Sequence, residues 1–164
     1  MLRIRALPPR PEGRGFTRIW MTDERMEKVP VGDLREAALD WAVAKCQGRE
    51  KGYIDAGSTV QILRFSGDHT RAPYSSEWAH GGGIVEDNRI EIRRHSGEWI
   101  ACPEADASEE DNWTERGQYG PTALVAAMRC YVASTIADKD GLVVVPWRLV
   151  PYESPIQYPT PKGG

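Results

Sequence analysis

Apolar residues recur at three- and four-residue steps from Leu124 through Ala127, Met128 and Tyr131 to Thr135, with Val125, Val132 and Ile136 beside them. That period is helical, and its width predicts a helix buried on most sides, the central helix of a small domain. Gly120 lets the chain turn into it, and Pro121 presets a helical φ at a position whose missing N–H costs nothing. A second helix is predicted from about Asp33. Asp33 and Glu36 have capping-box spacing, Leu34, Ala38, Trp41 and Ala42 share a face, and Gly48 stands where a helix stops. Arg89 to Arg94 alternates apolar with charged residues and faces Glu98 to Cys102 across Ser96-Gly97, the pattern of a hairpin. Val60 to Phe65 and Leu142 to Pro146 read as further strands, the latter at an edge because of Pro146 and Pro151. Gln47 to Gly57 reads as a polar connector, Ser66 to Thr70 as a turn, and Pro103 to Gln118 as a long acidic loop holding Trp113.

These elements predict an α+β fold, a small and mostly antiparallel sheet packed against two main helices. Residues 29–150 form its single domain. Residues 1–28 read as a disordered or extended arm, because Leu7 to Gly15 has polyproline and turn chemistry without periodicity. Residues 151–164 read as an extended tail. The chain has 164 residues, enough for one core. It has no apolar run of the roughly 18–20 residues that span a bilayer. Cys46, Cys102 and Cys130 lack metal-type spacing and fall on predicted helix faces or a strand end, which predicts reduced core thiols and a cytoplasmic setting.

The formal charge of −3 selects no class of partner. Arg3, Arg5, Arg10, Arg14, Arg18 and Arg25 make the arm basic, so nucleic-acid binding is expected only through it. Ser75, Ser76, Trp78 and His80 adjoin Gly81, Gly82 and Gly83. Read as a loop, this stretch exposes N–H groups to an anion, hydroxyls to orient it and an indole to stack on a base. It matches neither the phosphate-loop nor the dinucleotide-binding spacing. Thr122 opens the central helix at a second candidate anion site. Arg129, the only charge within that helix, needs a partner: either an acid such as Asp40 or Glu77, or an anionic ligand. Catalysis finds little support. His69, His80 and His95 match no metal set, and Glu109-Glu110-Asp111 reads as a solvated acidic run. No metal or cofactor is expected.

Ala38-Leu39-Asp40-Trp41-Ala42-Val43-Ala44-Lys45-Cys46, Trp78-Ala79-His80-Gly81-Gly82, and Gly120-Pro121-Thr122 leading to Ala126 through Ser134 resemble the NinX family of small proteins from tailed bacteriophages and prophages. The resemblance runs from about Val29 to Pro146. It departs at His80, where Gln is expected, at Gly83, where Pro is common, and over the first 25 residues, which have no counterpart. It implies an accessory protein in the bacterial cytoplasm, encoded near recombination and late-regulation genes, with no established activity. The expectation is binding rather than catalysis. The candidate ligand is small and anionic or nucleotide-like, held between the glycine stretch and the central helix by Ser75, Ser76, Trp78, His80, Gly81, Gly82, Thr122 and Arg129. The alternative is a protein- or DNA-interaction module in recombination, regulation or host takeover, with a host or phage protein or a second copy of the chain as partner.

Overall fold

Helix α5 (Ala123–Thr135) is the hub, and Leu124, Ala126, Ala127, Met128, Cys130, Tyr131 and Val132 on it are buried. The computed structural model of the chain describes residues 18–21, 25–49, 51–55, 63–65 and 70–150. In chain order these form β1 (Arg18–Trp20), β2 (Met26–Pro30), α1 (Glu36–Cys46), β3 (Gly52–Asp55), β4 (Leu63–Phe65), α2 (Trp78–Asp87), β5 (Ile90–His95), β6 (Glu98–Pro103), α3 (Glu104–Ala107), α4 (Glu110–Arg116), β7 (Gln118–Gly120), α5 and β8 (Leu142–Pro146). The α+β class is the expected one. The sheet, however, is divided among the described residues into three antiparallel pieces: β1-β3-β4, β2-β8 and β5-β6-β7. Helix α5 packs on β5, β6 and β7, and also on α1 and α2. Each large apolar side chain buried there contributes about 1.5–3 kcal/mol.

The register of β5 and β6 puts Ile90, Ile92, Ala101 and Trp99 on one face of their sheet, toward the main core. Ile100 and Cys102 face the other way and form a second cluster with Trp113. That cluster explains why the expected loop from Pro103 to Gln118 is instead α3, α4 and β7. Trp113 is buried and its indole N–H donates to the Ala107 carbonyl at 2.9 Å. Arg93 lies over the indole ring at 4.0 Å from its centre and donates both guanidinium arms to Glu110. Glu110 and Asp111 occupy the first turn of α4, where acids favour a helix. The acidic run is therefore a helix start.

Four other expectations change. Asp33 does not cap α1. It lies in a short 3-10 turn, and the cap position falls to Arg35, with no side-chain bond. Pro121 precedes α5, whose cap is Thr122, the hydroxyl accepting the Val125 N–H at 3.1 Å. The polar connector contains β3, a four-residue strand too short to show a period. The described parts of the expected arm are strands, β1 paired with β3 and β2 with β8, and Met21 is buried. Residues 1–17, 60–62, 66–69 and 151–164, to which the rest of the arm, part of a strand, most of a turn and the tail were assigned, lie outside the described residues. Gly48, at φ +75°, ends α1 as expected, and Ser96 and Gly97, at φ +51° and +90°, close the β5–β6 turn. Cys46, Cys102 and Cys130 are free thiols, and burial pushes Cys130 up to about 12.

The largest correction is the glycine stretch, which is not a loop but the body of α2. Each glycine costs a helix about 1 kcal/mol relative to alanine, so tertiary packing must offset it. A Cβ on Gly81 would lie 2.4 Å from the Tyr74 carbonyl oxygen and 2.6 Å from a Leu124 methyl. Gly81 thus lets α2 approach α5, and Ile84 is buried in the resulting contact. Gly83 has open space where its Cβ would be. Opposite outcomes are expected. Gly83→Ala should raise stability by about 0.5–1 kcal/mol, whereas Gly81→Ala should lower it by about 1–3 kcal/mol because rigid backbone is struck. Urea denaturation of the two variants checks this, and equal effects would contradict it.

Candidate functional site

A cleft of about 820 Å³ opens where the start of α1, the 71–78 segment and the start of α5 meet. Its base is apolar, with Ala37, Leu63, Ala72 and Leu124 all buried. Polar side chains stand around that base. Arg35, Glu36 and Asp40 come from α1 or the residue before it; Arg71, Ser75, Ser76 and Trp78 come from the chain leading into α2; Thr122 and Arg129 come from α5. Ser75, Ser76, Trp78, Thr122 and Arg129 were candidates from sequence, and the fold brings them together.

The other three candidates lie elsewhere. Gly81 is consumed by the contact with Tyr74 and Leu124. His80 is exposed beside Glu77, its Nε2 3.7 Å from the carboxylate. Gly82 borders a separate hollow with Val85, Glu86 and Arg89. Once the glycines are helical, their amides serve the helix rather than an anion. Four charged lining residues were not singled out as binding groups: Arg35, Glu36, Asp40 and Arg71. Their convergence depends on contacts between segments more than thirty residues apart, and no local motif announces it.

Arg129 pairs with neither Asp40 nor Glu77. Its Nε donates to the Leu34 carbonyl at 2.9 Å and its Nη1 to the Tyr119 carbonyl at 2.7 Å. Partial burial lowers its pKa, but it keeps a positive charge with no carboxylate within 4 Å among the described residues. Together with Arg35 it also borders a smaller hollow of about 370 Å³, shared with Glu27, Lys28 and Asp33. Glu36 has φ +49°, a left-handed conformation that a non-glycine residue adopts at a cost of about 1–3 kcal/mol. This strained residue lies next to Arg35 at the cleft. Arg71 is exposed, with its guanidinium 3.8 Å from Glu77.

Asp40 holds the 71–78 segment to α1 by accepting the Ser75 N–H at 2.8 Å. Trp78, in contrast, is 52% exposed at the cleft, where a structural tryptophan would be covered. The site therefore joins cationic groups, hydroxyls, the carboxyls of Glu36 and half-buried Asp40, and an accessible aromatic face. Among the described residues, no three His, Cys, Asp or Glu side chains converge as a metal set would, and no helix is long and apolar enough to cross a membrane.

The model of the family described as NinX of bacteriophage P22 matches residues 30–135. The chain belongs to this bacteriophage family. The matched span runs from the end of β2 to the end of α5 and contains every residue that lines the cleft. No curated protein matches the chain.

Burial raises the Asp40 carboxyl from 3.8 to about 6, against the opposing effects of Ser75 and Arg71. Folded protein therefore keeps a proton that the unfolded chain releases. The associated stability is complete below pH 3.8 and is lost as pH rises through about 6. Between pH 4 and 7 the loss should be on the order of 2–3 kcal/mol. Asp40→Asn retains an acceptor for Ser75 and should flatten this slope, as measured by chemical denaturation across that range. A slope equal to that of the parent chain would place its origin elsewhere.

Proposed function

We propose that this phage-family protein acts by binding, without catalysis, and that it takes a small anionic, nucleotide-like ligand in the cleft between α1, the 71–78 segment and the start of α5. The observation that carries the reading is the joint presence of Arg35, Arg71 and Arg129 with the exposed face of Trp78 around one cavity. Arginine offers planar donors to phosphate or carboxylate. Indole offers a stacking surface to any flat ring. The volume of about 820 Å³ lies within the usual range for small-molecule sites, about 300–1,000 Å³. First-turn amides of α5 and its dipole add a favourable field where Ala123 and Leu124 line the same wall.

Docking of a protein partner is the competing reading. It is favoured by Met26, Val144 and Trp147, which are exposed on or beside the β2–β8 ribbon. DNA recognition through the arm has no such support among the described residues.

Titration calorimetry with a panel of nucleoside monophosphates and inorganic pyrophosphate at low salt tests the cleft. Saturable binding is expected, with tryptophan quenching that disappears in Trp78→Ala. Arg35 is exposed and its side chain makes no hydrogen bond or ion pair among the described contacts, so Arg35→Ala should leave the fold intact while weakening binding about ten-fold or more. Affinity should also fall with added salt. No saturable binding by any of the panel, or full binding by Arg35→Ala, would overturn the reading.

A further inference from the structure

We infer that the cleft is polarised and selects a nucleoside 5′-phosphate, with the phosphate at Arg35 and Arg129 and an N–H-bearing edge of the base at Asp40, beside Trp78. This rests on the cleft being the ligand site and adds which way round the ligand lies and what kind of base it carries.

A carboxyl at the edge of an anion site repels the anion, and tying Ser75 to α1 engages Asp40 without requiring that it also line the cleft. Asp40 nevertheless lines it, partly accessible, with Oδ1 fixed by the Ser75 amide at 2.8 Å. A carboxylate so placed can only favour a ligand group that donates hydrogen bonds. Nucleobases carry such groups on the edge opposite the sugar, and guanine carries two adjacent ones, N1–H and the 2-amino group.

The positions of the charges agree. The Arg129 guanidinium is bonded to the Leu34 carbonyl, so it sits at the start of α1 next to Arg35. Asp40 lies one turn into α1 and Arg35 just before its start, so at 1.5 Å per residue the helix alone puts about 6 Å between Glu36 and Asp40 along its axis. That separation is of the order of the span between base and phosphate in a mononucleotide. Ser75 ties the Asp40 end to the segment that carries Trp78, so the stacking face and the acceptor belong to one corner. The charged groups around Asp40 are Arg71 and Glu77 on that segment, Arg35 and Glu36 toward the start of α1, and Arg129 on α5. Arg71 and Glu77 oppose each other in their effect on it.

Protonation then gives a signature. Donation from a base stabilises ionised Asp40, so base recognition should strengthen as pH rises through about 6. A phosphate without a base gains nothing from that ionisation and is repelled by it. The phosphate's own second pKa, also about 6, moves both kinds of ligand alike, so the ratio of their affinities reports Asp40.

The experiment is calorimetry of the full chain with GMP and with ribose 5-phosphate at pH 5 and pH 7.5. GMP should bind about ten-fold or more tightly than ribose 5-phosphate at pH 7.5, the value of a hydrogen bond to a charged group. That advantage should shrink at pH 5. In Asp40→Asn the advantage should fall at pH 7.5 to about its pH 5 level and lose its pH dependence, because the neutral amide keeps its Oδ1 for Ser75 and presents a donor where the ionised carboxyl presented an acceptor. Trp78→Ala should reduce it without changing its pH dependence. Equal affinities for the two probes, or a GMP advantage that survives Asp40→Asn unchanged, would overturn the base assignment while leaving anion binding intact. Failure of both probes to bind would overturn the cleft reading beneath it.

Discussion

A half-buried guanidinium must have its covered donors met, and at Arg129 that requirement ties three parts of the chain together. It rises from the most apolar helix and is met by the carbonyls of Leu34, just before α1, and Tyr119, in β7. Two main-chain oxygens from separate elements are satisfied by the same group. The start of α1 and the end of the β5-β6-β7 sheet are thereby fixed against α5. The cleft opens beside this clamp, with Arg35 and Arg129 both in its lining. Arg129 is thus both a clamp and a wall of the site. Its removal would disturb packing and binding together, which is why Arg35, Asp40 and Trp78 discriminate better between the two roles.

Close backbone approach is the second constraint. Gly81 allows α2 against α5, and Gly120 allows β7 against the first turn of α5, where a Cβ would meet the Ala126 nitrogen at 2.6 Å. Gly117 sits equally tightly against the Trp113 carbonyl and Ile100. Gly81 and Gly120 set how near α2 and β7 can lie to α5, and Gly117 sets how near the end of α4 can lie to β6 in the second cluster. Gly82 and Gly83 have no such contact, so the run of three is one packing glycine followed by two that weaken α2 without an evident structural return.

Elements that announce themselves by period were legible. Helix α5 shows a sustained helical repeat, the β5–β6 hairpin shows alternation about Ser96-Gly97, and β8 a β-branched run. Helix α2 was hidden because Gly81 to Gly83 lowers local helix propensity, and packing on α5 overrides it. Helices α3 and α4 were hidden by their acids, since their apolar contribution comes from Trp113 and the partly buried Ala107, meeting Ile100 and Cys102 on another element. For the cleft, sequence pointed to Ser75, Ser76, Trp78, Thr122 and Arg129, which local chemistry marks out. It did not point to Arg35 or Arg71, and it offered Asp40 only as a partner for Arg129. Those assignments need the long-range geometry that brings α1, the 71–78 segment and α5 to one place. The family match covers all three of these parts but carries no ligand with it.

The claim that this cleft is where the protein meets its ligand is tested most directly by mapping amide chemical shifts in a nitrogen–proton NMR titration with GMP. The account predicts changes concentrated at Arg35 to Asp40, Arg71 to Trp78 and Thr122 to Val125, with those of β5 and the β2–β8 ribbon still. Shifts confined to the ribbon or to the hollow beside Gly82 and Glu86, or none at saturating ligand, would contradict it.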